Sequence, residues 1–304
     1  MHKFNRSTEM AVFVQVIESE GLSAAARKLD MTPSAVSKLI NRLEMRLGVR
    51  LLNRTTRKLQ LTAEGSVFYE RSVRILEDII AAEQEANQGT APRGRIRVNC
   101  HVAFGKHCLM PLLPDFLQRY PEITLDISLC DLVADLLDDR SDVAIRIGPP
   151  VDDSCLIVRR LGSSRMVVVG SPSYLERVGM PATPGDLGRY NRLGFGFTRH
   201  AKAWPFIGSE EWVQQLPSGN LLLGDGETMC KAALAGLGLA RLARFHVNAD
   251  IQAGLLLPVL ENYNPGDKEE IYAVFVGTGR QPPSRVRVFL DYLTEYIHIG
   301  DGWQ

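Results

Sequence analysis

Over the first 61 residues the apolar positions recur at helical spacing in three short bursts and then shift to alternation. Met10, Phe13, Val14 and Ile17 share one side of a helix that Ser7 is placed to cap and Gly21 stops. Ser23 is the expected cap of a second helix through Ala24, Ala25, Ala26 and Leu29, whose small side chains allow another helix to approach closely. Asp30 and Met31 make a turn. Thr32 then caps a third helix with Pro33 at its first position, where a missing N–H costs nothing. This helix buries Val36, Leu39 or Ile40, Leu43 and Leu47, and Gly48 ends it. Leu51 and Leu52, then Leu59 and Leu61, read as two short strands around a polar, basic tip.

From Thr62, another expected cap, no Pro and no Gly after Gly65 interrupts the chain as far as Asn87. Phe68, Ile75, Ile79, Ala82 and Ala86 form one stripe on this long helix, and such a stripe needs a partner. Gln88 to Gly94 is a short hinge. Beyond it strands alternate with helices. Strands are expected at Ile96 to Val98, Thr124 to Leu129, Asp142 to Ile147, Arg165 to Gly170, Leu221 to Leu223, Leu239 to Leu242 and Ile271 to Val276. Helices are expected at Met110 to Tyr120, Leu132 to Leu137, Gly226 to Leu237 and Ser284 to Ile299, with a cap at Ser171 before Pro172. That succession predicts parallel sheets covered by helices.

Charge sharpens the division. The chain of 304 residues is neutral, but residues 1–66 hold 11 Lys and Arg against 6 Asp and Glu, leaving 24 against 29 for the rest. A basic head on an acidic body suits a polyanion-binding module. Two short helices joined by a tight turn, with alanines at their crossing, can place the second helix in the major groove of DNA. Its outer face would then carry Ser34, Ser37 and Lys38 toward base edges, with Pro33 against a thymine methyl and Asn41 and Arg42 toward phosphates. Arg54, Arg57 and Lys58 at the hairpin tip make it a wing that grips phosphates or the flanking minor groove.

These residues carry a resemblance. Phe13-Val14, Ser23-Ala24-Ala25-Ala26 with Leu29, Thr32 to Ile40, Leu43-Glu44, Leu47-Gly48, Leu51-Leu52, Arg54 and Leu61 to Gly65 resemble the DNA-binding region of LysR-type transcriptional regulators. Leu52 and Thr32 are mild departures, standing where the family often has Phe and Gln. The body shares Leu112-Leu113-Pro114, Phe116, Tyr120-Pro121, Asp142 to Gly148, Ser171 to Leu175 and Ala235 to Gly238 with the effector-binding region of that family, which is similar in fold to periplasmic solute-binding proteins.

The resemblance implies an α+β multidomain chain: a winged helix-turn-helix over 1–61, a dimerisation helix over 62–88, a hinge over 89–94 and a two-lobed effector-binding domain over 95–304. Lobe I would comprise 95–163 and 269–304 and lobe II 164–268, with crossings near Gly162 to Arg165 and Pro265 to Glu269. It also implies Ser23 and Thr32 at the DNA interface, homodimers assembled further into homotetramers on roughly palindromic promoter sites, and contact with RNA polymerase in an activator. Ala243, where many members have Pro, leaves the start of the following helix open.

Effectors of such a fold bind at the carboxyl ends of the strands. The expected lining is His101, Val102, Ala103, Phe104, Gly148, Phe197, Thr198, Asp225 and Thr228. Many relatives have Ser or Thr where His101 or Val102 lies, so the ligand is either less simply anionic or held through backbone donors. Arg146, inside its strand, reads as structural.

Catalytic fingerprints are absent, and the six histidines show neither ligand nor triad spacing. No enzyme activity, metal or cofactor is therefore expected. Five cysteines without a CxxC pair predict neither a disulfide framework nor a zinc site, and without basic neighbours no redox switch. No signal peptide or membrane span is evident, which points to the cytoplasm. A solute-binding protein would share the body but not the basic head.

Overall fold

The computed structural model describes residues 6–54, 59–86, 91–131, 141–148, 156–196, 203–208, 212–276 and 282–299. It separates into two units, Met1–Thr90 and Ala91–Gln304. The first contains α1 (Arg6–Glu18), α2 (Leu22–Lys28), α3 (Pro33–Leu47), the hairpin β1 (Leu52–Arg54) and β2 (Leu59–Leu61), and α4 (Ala63–Ala86). Phe13, Val36, Ile40 and Leu43 are fully buried at its centre with Ala25 and Ala26, so Ile40 rather than Leu39 is the deep residue of α3.

Two expected caps are corrected. Ser7 lies inside α1, and α2 starts one residue before Ser23 because Leu22 already packs against the core. Thr32 does cap α3: its hydroxyl accepts from the Ala35 amide at 3.2 Å, and Gly48 ends the helix with φ 72°. Asp30 supplies a left-handed turn between α2 and α3, a conformation its short side chain tolerates.

The long helix divides its apolar stripe between two tasks. Its start packs on its own unit, with the Phe68 ring 5.5 Å from Phe13. Further along, Ile75, Ile79 and Ile80 stand exposed. Thr62 holds the junction, donating to the Arg50 carbonyl and accepting from the Gly65 amide. Gly65 crosses so close to Leu51 that any Cβ would overlap the Leu51 carbonyl.

The second unit begins with β3 (Gly94–Cys100), α5 (Val102–Phe104), α6 (Leu113–Arg119), β4 (Ile123–Leu129), β5 (Val143–Ile147) and β6 (Leu156–Gly170). It continues with α7 (Pro172–Val178), β7 (Gly194–Phe195), β8 (Trp204–Ile207), β9 (Trp212–Gln215), β10 (Leu222–Leu223), α8 (Gly226–Leu234), β11 (Ala240–Ala243) and α9 (Arg244–Gln252). Last come β12 (Leu257–Val259), β13 (Lys268–Val276) and α10 (Ser284–Tyr296).

One sheet, ordered β11-β6-β13-β5-β3-β4 with β12 also on β6, runs through the unit. The expectation of parallel sheets holds for β3 with β4 and β5 and for the small β7 and β10 pair, but β13 is antiparallel to both β5 and β6. The physical reason is the return path: a chain that leaves along β6 and comes back along β13 beside it must reverse direction. The two segments expected as crossings pair with each other, Arg165 opposite Lys268 and Ser164 opposite Glu269.

Smaller corrections have local causes. The helical run expected from Met110 starts at Val102 and passes through a π-helical turn, Gly105–Leu109. α8 stops at Leu234 rather than Leu237 because Gly236 turns left-handed, with φ 76°, and Leu237 N–H returns to the Ala232 carbonyl. α10 ends at Tyr296, short of Ile299. α9 begins directly after Ala243 without a side-chain cap, and Ser171 caps α7 as expected. The helix expected over 132–137 lies outside the described residues.

Gly65→Ala is expected to destabilise the first unit by about 1–3 kcal/mol, since backbone must move to admit the methyl group. A denaturant midpoint equal to that of the wild-type chain contradicts the close crossing.

Candidate nucleic-acid interface and effector cleft

On α3 the buried residues Val36, Ile40 and Leu43 leave the opposite face to polar side chains. Pro33, Ser34, Lys38, Asn41 and Arg42 are exposed and Ser37 is half-buried, so the expected base-edge and phosphate residues share one outward surface. Thr32 begins that surface, although its hydroxyl is engaged by the cap and lies 3.1 Å from the Ser34 hydroxyl. Ser23 is exposed in the first turn of α2.

The surface is held from behind. Arg46, at the end of α3, donates twice to the buried Glu9 of α1, at 2.8 and 3.0 Å. Glu44 accepts from the amides of Leu51 and Leu52, at 2.8 and 3.1 Å, which fixes the entry to the hairpin. Leu52 opposite Leu61 and Arg54 opposite Leu59 set the hairpin register. Arg57 and Lys58 lie outside the described residues, as does the side chain of Arg54.

In the second unit the expected cleft residues divide into three groups. Ala103 and Phe104 turn inward to the core, where Phe104 meets Phe245 edge-on, so their expected place at the cleft surface is corrected. The cause is the helical run starting at Val102, which points their side chains at the sheet. Phe197 and Thr198 lie outside the described residues, and Gly148 ends β5 with φ 121°. His101 and Val102 meet a carboxylate that sequence reasoning passed over, while Asp225 and Thr228 bond to each other at the start of α8.

That carboxylate is Asp131, 2% exposed. It accepts from the Val102 amide at 2.7 Å and the Gly226 amide at 3.2 Å, and lies 3.4 Å from His101 Nε2. Two helix starts thus spend donors on an internal anion. Asp225 caps α8, accepting from the amide and hydroxyl of Thr228, both at 2.7 Å. The polar side chains expected to meet a ligand are therefore engaged with one another.

Beside them Glu227 gathers three further groups. Its Oε1 accepts from Lys106 at 2.7 Å, while Oε2 lies 3.1 Å from His107 Nε2 and 3.2 Å from His246 Nε2. Burial pushes the Glu227 carboxyl up, but hydrogen bonds from Lys106 and His107 and the field of His246 outweigh it and bring it down to about 2. Burial, with His107 nearby, holds the His246 imidazole down at about 4 against the opposing pull of Glu227. The expectation that the histidines have no constellation is corrected here. Their spacing of 120 residues from Glu227 to His107 hides it, and only the fold closes the distance. Glu227 itself stood between two residues that were singled out.

Three of the described thiols are buried and unreactive. Burial pushes Cys108 and Cys230 up to about 12 and Cys100 higher still, so all three stay protonated.

Comparisons with known proteins agree on both units. Residues 7–66 match the family model described as "Bacterial regulatory helix-turn-helix protein, lysR family", and residues 89–297 match "LysR substrate binding domain". The HTH-type transcriptional regulator CrgA of Neisseria meningitidis serogroup C (strain 8013) is 38% identical over 292 residues, covering 96% of this chain and 97% of that protein. The HTH-type transcriptional activator AaeR of Escherichia coli (strain K12) is 32% identical over 302 residues, with 98% and 96% covered. The solved structure of CrgA, a LysR-type transcriptional regulator from Neisseria meningitidis, superposes with a TM-score of 0.63 at 36% identity, covering 96% of this chain and 99% of that one.

The buried cluster gives stability a pH dependence. His246 is ordinarily half-protonated near 6.5 and falls to about 4 in the folded chain, so the unfolded chain binds the proton first and stability is lost as pH drops from about 6.5 toward 4. Glu227 extends the loss from about 4.5 toward 2. Urea unfolding of wild-type and His246→Asn chains at pH 7 and 5 should show the smaller decline in the variant. Equal declines contradict the assignment.

Proposed function

Because this chain belongs to the LysR family of bacterial transcriptional regulators, we propose that α3 is its base-reading element and that the helix starts around Asp131 are where its effector acts. Members bind DNA and small-molecule effectors and oligomerise, and this chain is a DNA-binding transcriptional regulator with an effector-binding domain. The observation that carries the reading is the division of α3 into one fully buried aliphatic face and one outward face bearing Ser34, Ser37, Lys38, Asn41 and Arg42.

In this reading Ser34, Ser37 and Lys38 meet base edges, with Lys38 favouring guanine O6 or N7. Asn41, Arg42 and Ser23 in the first turn of α2 meet phosphates, joined by Arg54, Arg57 and Lys58 from the wing. Residues 1–61 form the DNA-binding module, 62–88 the dimerisation helix, 89–94 the hinge and 95–304 the effector domain. The exposed Ile75, Ile79 and Ile80 of α4 support a second copy of the same helix as its partner. Two heads so paired suit a roughly palindromic site, and tetramers reach further half-sites; an activator would also touch RNA polymerase. Action on DNA places the chain in the cytoplasm in this reading; among the described residues no helix is long and apolar enough to cross a membrane.

The effector shifts a conformational equilibrium of its domain. Since the buried Asp131 already takes the Val102 and Gly226 amides, those two donors are not open to a ligand. An effector group that is cationic or donates hydrogen bonds fits this arrangement better than a simple carboxylate.

Lys38→Ala should lower discrimination between the operator and single-base variants at one position by about 1–3 kcal/mol, measured by fluorescence anisotropy on duplexes. Unchanged sequence preference removes Lys38 from the base contacts. Ile79→Glu should shift the oligomer toward monomer in sedimentation at micromolar protein, and an unshifted profile moves the interface elsewhere.

A further inference from the structure

We propose that His107, Glu227 and His246 bind a divalent transition-metal ion of the zinc class, through two imidazole nitrogens and one carboxylate oxygen, and that the ion couples to DNA binding. Among the described residues this is the group of His, Cys, Asp and Glu whose ligand atoms converge, all within 4.8 Å of one another. Imidazole with carboxylate is a donor set for zinc and its neighbours in the first transition row, and unlike an all-oxygen set it does not favour magnesium or calcium.

The separations fit an ion. Ligands about 2.0–2.1 Å from one metal stand roughly 3.0 Å apart at a right angle and roughly 3.4 Å apart in a tetrahedron. Glu227 Oε2 is 3.1 Å from His107 Nε2 and 3.2 Å from His246 Nε2, between those limits. The two rings, tilted to each other with centroids 5.1 Å apart, must draw together slightly. His107 is 36% exposed and free to swing, whereas the 3% exposed His246 is fixed by packing against the start of α8.

The surroundings orient the donors. Lys106 occupies Oε1 and turns Oε2 toward the two rings, the arrangement in which an outer hydrogen bond fixes a metal-binding carboxylate. Its positive charge, 43% exposed and screened by solvent, opposes an arriving cation less than a buried one would. Three protein ligands leave a fourth position for water or a coordinating group of an effector.

Placement gives the ion a consequence. His107 sits in the helical run after β3, while Glu227 begins α8 and His246 lies in α9. An ion held by all three ties segments that meet only through folding and favours the conformation in which they are close. Ion binding stands on these residues alone; its effect on DNA rests on the regulator reading above.

The test uses the full-length, chelator-treated protein. Titration with Zn²⁺ followed by calorimetry should give one ion per chain, and Co²⁺ should bind without the near-ultraviolet charge-transfer band of thiolate ligands. His107→Ala, an exposed replacement expected to leave the fold intact by circular dichroism, and Glu227→Gln should each weaken binding more than about 100-fold. Absence of 1:1 binding, a thiolate band, or affinities unchanged in both variants overturns the site. In parallel, Zn²⁺ should change operator affinity of the wild-type chain at least several-fold and leave His107→Ala unmoved. Equal operator affinity with and without Zn²⁺ overturns the coupling. Loss of all DNA binding with 1:1 Zn²⁺ binding intact instead refutes the regulator reading and spares the metal site.

Discussion

Burial of Val36, Ile40 and Leu43 against Phe13, Ala25 and Ala26 determines which side chains α3 presents to its surroundings. Each such aliphatic residue contributes roughly 1.5–3 kcal/mol when fully buried, so rotating the helix to bury its polar face is not competitive. The Glu9–Arg46 pair and the Glu44 contacts to Leu51 and Leu52 then lock the helix end and the hairpin start to the same core. Lys38 and its neighbours gain a fixed direction from this packing without taking part in it. Recognition of a rigid duplex needs that division, because a mobile reading head would lose the entropy of ordering on every encounter.

The second unit depends on a different device, the ladder between β6 and β13. Two antiparallel strands carry the chain out and back, and the ends of β3 and β4 meet the start of α8 through Asp131. Asp131 and Glu227 sit at that meeting point. One carboxylate is buried and satisfied by helix amides, and the other is shared among a lysine and two histidines. Both concentrate carboxylate oxygens at one place in the fold, which is the property the proposed effector and metal readings draw on.

Local signals made the DNA-binding unit legible in the sequence. The Thr32-Pro33 start, the Gly48 stop and the aliphatic repeat of α3 all act within a few residues, and each is where expected. The errors there were of one residue, as at Ser23, where burial of Leu22 outranked cap chemistry. The effector unit was legible in its main strands and helices, but β8, β9, β12 and the first half of β6 were not expected, nor was the sheet polarity, because the antiparallel return of β13 is a property of topology and not of any segment. The cluster at Glu227 was hidden for the same reason: His107 and His246 have no shared spacing until the sheet forms. Asp225 and Thr228, expected to line the effector cleft, form the cap of α8, and Glu227 between them faces the other groups.

Regulation by this chain requires α3 to read DNA from paired chains. Selection of fragmented genomic DNA by the purified full-length protein at moderate salt tests this most directly. Enrichment of fragments sharing a two-fold symmetric motif is expected, with half-sites about one helical turn or a multiple of it apart. Recovery of fragments with no common sequence, or none even at low ionic strength, contradicts it.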